Sequence, residues 1–123
     1  MGAPVANVSE TLRAEVRRYQ DLVERLRLIA LNKQQLQLQL SEVDSALREL
    51  NKLEEDAAVY KVVGSIMVSK KRSDIVEELS ELKETLEVRL KTLEKQEDLL
   101  RRQLNELERK LARKLGGSTS TAG

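Results

Sequence analysis

A chain of 123 residues with 35% charged side chains, 2% aromatics and neither Phe nor Trp has little with which to fill a globular core, and its abundant Ala, Glu, Lys, Leu and Arg at helical spacing favour coiled coil. Its 22 basic and 21 acidic residues leave a net charge of +1, which offers no broad field to a nucleic-acid backbone. With no cysteine and no histidine, disulfides, thiolate metal sites, a cysteine nucleophile, the commonest general base and the commonest metal ligand are all missing, so neither an enzyme nor a bound cofactor or metal is expected.

Residues 1–10 lack the basic start and apolar core of a signal peptide, and no apolar run approaches the roughly 18–20 residues that span a bilayer. A soluble, cytoplasmic chain is expected. Pro4, then Asn7 with Glu10 three residues on, mark a helix start of the capping-box kind. From Val8, alternating steps of four and three pick out Val8, Leu12, Glu15, Tyr19, Leu22, Leu26, Ile29, Lys33, Leu36, Leu40, Val43, Leu47 and Leu50. Only Glu15 and Lys33 interrupt this seam, and a repeat sustained so far keeps one narrow apolar stripe against a partner helix. The spacing predicts a helix over about 8–55, on the order of 70 Å long. Glu54-Glu55-Asp56 at its end read as solvated carboxylates, because a hard-cation site needs convergent oxygens and a glycine-shaped loop.

Over residues 58–70 the pattern becomes β-like: Val59-Tyr60-Lys61-Val62-Val63-Gly64-Ser65-Ile66-Met67-Val68. Gly64 is the only glycine between Gly2 and Gly116, and Gly64-Ser65 fits the two central positions of a type II′ hairpin turn between β-branched residues. The alternative is an apolar linker packed on the helix ends, which would carry many apolar side chains to little purpose. A two-stranded ribbon alone in water is marginal, and no third strand is at hand to cover this one. The hairpin is therefore predicted to be a self-assembly element that joins hairpins of other chains, ideally in a closed barrel. Lys70-Lys71-Arg72 read as solvation and edge protection, since no aromatic or glycine-rich phosphate cradle accompanies them.

Ser73 or Asp74 can cap a second helix predicted over about 74–115, with Glu77 adding negative charge to its first turn. Its seam runs Ile75, Leu79, Leu82, Leu86, Leu90, Leu93, Glu97, Leu100, Leu104, Leu107, Leu111 and Leu115. Successive steps of four at Leu82-Leu86-Leu90 and at Leu107-Leu111-Leu115 are stutters that unwind a left-handed supercoil locally. Gly116-Gly117 should end the helix, leaving residues 116–123 as a flexible tail. Two arms of similar length across a short insert favour an antiparallel pair within one chain. Leu50 should then lie near Ile75, Glu15 near Lys110, and Lys33 near Glu94 or Glu97. The polar interruptions either meet opposite charge there or snorkel to water. The fold class is thus mainly α, one domain over 1–123, a long antiparallel coiled-coil hairpin with a short β-hairpin between its helices.

The insert, followed by LKETLEVRLKTLEKQE at residues 82–97, in the order long helix, single hairpin, long helix, polar tail, resembles the β class of the prefoldin family over essentially the whole chain, its archaeal members most of all. A single hairpin looks like the β class; the α class is longer and carries two. The resemblance implies a subunit of a hexamer of two α-class and four β-class chains, whose hairpins form a double β-barrel body from which the coiled coils hang. Such an assembly is an ATP-independent chaperone, a holdase that captures unfolded proteins and transfers them to a group II chaperonin. No glycine-rich phosphate loop is present to suggest otherwise. Neither nucleic acid nor membrane is an expected partner.

On this sequence the resemblance assigns assembly to Val59, Tyr60, Val62, Val63, Gly64, Ile66, Met67 and Val68. It places client binding at tips formed by Val5, Val8 and Leu12 with Leu107, Leu111 and Leu115, where fraying would expose seam residues; the plainer reading is that these only close the seam. Lys110, Arg113 and Lys114 beside them either dock an acidic surface of the chaperonin or, the reading the sequence favours, complement the carboxyl end of the helix dipole. A different class, a structural coiled-coil spacer or oligomerisation module without client binding, has no use for an apolar ribbon. A tRNA-binding helical arm would need a much more basic rod.

Overall fold

The computed structural model describes the backbone of residues 3–122 and the side chains of residues 9–116. Its elements run α1 (Ala3–Asn51), β1 (Ala58–Val63), β2 (Ile66–Lys71) and α2 (Arg72–Ala122), which is the expected order of helix, hairpin, helix. The chain divides into two compact units, one of Met1–Asn32 with Leu93–Gly123 and one of Lys33–Thr92. The division falls inside both helices, so each unit takes a part of α1 and a part of α2.

The helix limits differ from the sequence-based ones. Asn7 and Glu10 lie inside α1, so the capping pair expected there is not the helix start. Pro4 sits in the first turn instead, where its fixed φ is helical and its missing N–H is one the first turn leaves unpaired anyway. At the other end α1 stops at Asn51, short of residue 55. The chain then tightens, Lys52 N–H donating to the Glu49 carbonyl at 3.2 Å and Leu53 N–H to that of Leu50 at 3.1 Å, and a further turn closes from Ala57 N–H to the Glu54 carbonyl at 3.0 Å. Such i to i−3 bonds satisfy carbonyls that the end of an α-helix leaves free.

α2 follows β2 directly at Arg72, ahead of Ser73 and Asp74, and Asp74 stays in its first turn, where a negative charge suits the helix dipole. It continues through Gly116-Gly117 to Ala122, past the end predicted at 115 and through most of the expected tail. Glycine raises the cost of a helix by about 1 kcal/mol but keeps the N–H and carbonyl that continue the ladder, and α2 contains no proline to break it.

The seam of α1 is found where the heptads put it. In the unit Lys33–Thr92, Val43 and Leu50 are buried with Ile75 and Leu86, and Leu36, Leu40, Leu47, Leu79 and Leu90 are half-buried. In the other unit, Leu22, Ile29 and Leu107 are buried, with Leu12, Tyr19, Leu26, Leu93, Leu100, Leu104 and Leu111 half-buried. Two positions of α2 depart from the expectation: Leu115 is 64% exposed, and the other is Leu82. Leu82 is 44% exposed, while its neighbour Lys83 is half-buried and reaches Asp44 of α1, Nζ to Oδ1 at 2.8 Å. The stutter is thereby displaced toward the hairpin, with steps of four from Leu79 to Lys83 and three from Lys83 to Leu86. Among the described residues no helix is long and apolar enough to cross a membrane.

Candidate functional site

β1 and β2 pair antiparallel with Val63 opposite Ile66, so Gly64 and Ser65 alone form the loop. Gly64 has φ +59°, and among the described residues no non-glycine has positive φ. A positive φ at the first central position only is the signature of type II′, since type I′ would need it at Ser65 as well. Space is not what selects glycine here, because a Cβ at this position would meet nothing within 4 Å.

Cross-strand partners share a face of the sheet, and the register sorts seven of the eight assembly candidates, all but Gly64 in the loop, into two groups. Val59, Lys61, Val63, Ile66, Val68 and Lys70 lie on one face. Tyr60, Val62 and Met67 lie on the other with Ala58, Ser69 and Lys71. The first face is partly covered near the strand ends that meet the helices, where Val59, Lys61 and Val68 are half-buried. Lys61 pairs there with Glu78 of α2, and its hydrogen bond holds the Glu78 carboxyl below its ordinary value, helped by the charges of Lys61 and Lys70 and opposed by partial desolvation. The second face is open. Tyr60 is 58% exposed, Val62 and Met67 each 68%, and Val63, Gly64 and Ile66 near the turn are exposed too.

The base of the hairpin is held by contacts that no local sequence pattern signals. Arg72, the first residue of α2, donates from Nε to the Leu50 carbonyl at 2.6 Å and from Nη2 toward Asn51 Oδ1 at 3.4 Å. The third member of the basic run is therefore a half-buried cap on the end of α1 rather than a solvated charge, because the hairpin returns the chain to the carbonyls that α1 leaves free. Leu82 lines an open hollow of about 400 Å³ with Tyr60, Lys61, Ile75, Glu78 and Leu79. Among the described residues no group of carboxylates gathers as a metal ion would require.

The tip candidates divide as well. The side chains of Val5 and Val8 lie outside the described residues. Leu107 is buried, Leu12 and Leu111 are half-buried, and Leu115 is 64% exposed. Glu15 meets Lys114, Oε1 to Nζ at 2.6 Å, and not Lys110, which stands one helical turn earlier on α2. Tyr19 Oη donates toward Glu108 at 3.4 Å, so the two helices are antiparallel here. Lys110 and Arg113 are exposed, but Lys114 is engaged. These three lie well before the end of α2, whose last turn has no basic residue; the dipole acts over that turn only, so it does not account for the cluster.

The open hairpin face, the capped return and the apolar seam define a coiled-coil protein that carries an uncovered β-ribbon. A family model described as "Prefoldin subunit" matches residues 13–118. A prefoldin subunit beta of Caldivirga maquilingensis is 41% identical over 104 residues, covering 85% of this chain and 86% of its own, and one from Pyrobaculum calidifontis is 39% identical over 97% of this chain and 98% of its own. The crystal structure of the prefoldin beta subunit from Thermococcus strain KS-1 superposes with a TM-score of 0.79 at 39% identity, covering 85% of this chain and 92% of that one. The chain belongs to the prefoldin family, and these relatives are β subunits.

Proposed function

We propose that the chain is a subunit of an ATP-independent holdase, a hexamer of two α-class and four β-class prefoldin chains that captures unfolded proteins and passes them to a group II chaperonin. The observation that carries this is the hairpin: Tyr60, Val62 and Met67 form an apolar face left 58–68% exposed among the described residues, and both edges of its two-stranded sheet are unpaired there. Joining hairpins of neighbouring subunits into a barrel would cover the face and satisfy the edges together. Leu12, Leu107, Leu111 and Leu115 then serve as the client surface of the tip, and Lys110 and Arg113 are the cations free to meet an acidic surface of the chaperonin.

Dilution of a chemically denatured model protein into buffer, followed by light scattering, tests the reading with the chain alone and mixed with an archaeal prefoldin α subunit. The mixture should suppress aggregation without nucleotide, and its native mass should correspond to two α and four β chains. An assembled complex that leaves the scattering unchanged would refute the chaperone role.

A further inference from the structure

The seam of α1 contains a carboxylate where its heptads call for an apolar residue, and that carboxylate is Glu15, half-buried with its side chain 19% exposed. One oxygen accepts from Lys114 at 2.6 Å. The other, Oε2, is buried with no hydrogen-bond partner. An ion pair of this kind draws the two helices together but leaves a charge incompletely solvated between them, so the contact is both a closure and a point of weakness.

Its position gives this a consequence. Leu12 is three residues before Glu15, and Leu111 and Leu107 are three and seven residues before Lys114, spacings that put them on the same helix faces as the pair. Leu12 and Leu111 are half-buried and Leu107 is buried, so apolar side chains offered to a client are largely closed off where the pair is intact. Leu115, next to Lys114, is the one left 64% exposed.

We propose that Glu15 and Lys114 form a clasp across the tip, one that holds Leu12, Leu107 and Leu111 closed and opens readily enough to release them to an apolar stretch of an unfolded polypeptide. This rests on the client-binding tip proposed above and adds its control. A seam residue of full apolar character at position 15 would lock the tip, and loss of the cation alone would strand the carboxylate and loosen it.

The test uses full-length chains assembled with an archaeal prefoldin α subunit, the native mass confirming that each variant forms the same complex. Glu15→Leu should slow amide exchange around residues 12–19 and 104–114 by about tenfold and lower the amount of denatured model protein held at fixed concentration. Lys114→Gln should do the opposite on both readouts, and the reversed pair Glu15→Lys with Lys114→Glu should return both toward the parent. The clasp is overturned if Glu15→Leu and Lys114→Gln shift capture in the same direction, or if neither shifts it. Leu111→Ser with Leu115→Ser separates the two ideas. If that variant holds clients as well as the parent, the tip is not the client surface and the clasp falls with it. If it loses them while the two clasp variants behave alike, the tip stands and only the clasp is wrong.

Discussion

Arg72 carries a role that its charge alone does not suggest. Its Nε donates to the Leu50 carbonyl at 2.6 Å, closing an orphan acceptor at the end of α1 with a charge-assisted bond. Arg72→Ala should therefore destabilise the chain by about 1–2 kcal/mol, seen as a lower denaturation midpoint in urea at an unchanged slope, and Arg72→Lys should recover only part because its ammonium cannot reproduce the fork. The Lys61–Glu78 pair makes a pH-dependent contribution whose sign is fixed. The Glu78 carboxyl is held below its ordinary value of 4.5 by the hydrogen bond from Lys61, so the pair stabilises the fold above the pKa of the unfolded carboxyl, and this is lost as pH falls through the lower folded value. Lys83, raised above 10.5 by its hydrogen bond to Asp44, behaves in the mirror sense, stabilising at lower pH and losing its effect as pH rises past that value. At neutral pH both pairs act. Melting of Glu78→Gln beside the parent should show a gap near pH 7 that narrows once the pH drops below 4.5.

At the scale of the elements, α1 was legible because its heptads are long and unbroken, and each described seam position it names is buried or half-buried. The hairpin was legible for a local reason too, since Gly64-Ser65 between apolar runs admits few other turns and the observed φ of +59° is the one it requires. What the periodicity could not carry was anything that depends on which residues the hairpin brings together. Leu82 and Lys83 are neighbours in sequence, and the half-buried place goes to Lys83, whose Nζ meets Asp44 Oδ1 at 2.8 Å, while Leu82 lines the hollow beside Tyr60. The partner of Glu15 proved to be Lys114 and not Lys110, because heptad spacing fixes the face that each helix presents and not which turns of the two helices meet. Helix ends were least legible, because glycine disfavours a helix without forbidding it. The displaced stutter predicts a contrast between two leucines four residues apart. Leu86→Ala removes a side chain that is 3% exposed and should cost about 2–4 kcal/mol, whereas Leu82→Ala should cost under about 1 kcal/mol, both read from denaturation midpoints. Equal costs would put Leu82 back in the seam.

For the whole molecule, the assembly and client surfaces proposed above fall in different compact units, the hairpin within Lys33–Thr92 and Leu12, Leu107, Leu111 and Leu115 within the unit of Met1–Asn32 and Leu93–Gly123. The stability of each rests on its own contacts: the hairpin on the Arg72 cap and the Lys61–Glu78 pair; the proposed tip on its leucines and the Glu15–Lys114 pair. Coupling between substitutions that share no partner is generally weak, so lesions in the two should separate. Val62→Glu places a charge on a face already 68% exposed and breaks no contact within the chain. It should leave helical circular dichroism nearly unchanged while removing the proposed hexamer with an α-class partner from the native mass spectrum, because a carboxylate cannot enter an apolar interface unpaired. Leu115→Ser, at a side chain 64% exposed, should leave both the helicity and the hexamer intact and weaken only the suppression of aggregation. A chain carrying both changes should fail to assemble and hold no more client than Val62→Glu does. If Val62→Glu still assembled, the hairpin would lose its role; if Leu115→Ser dissolved the hexamer, the two surfaces would not be separate.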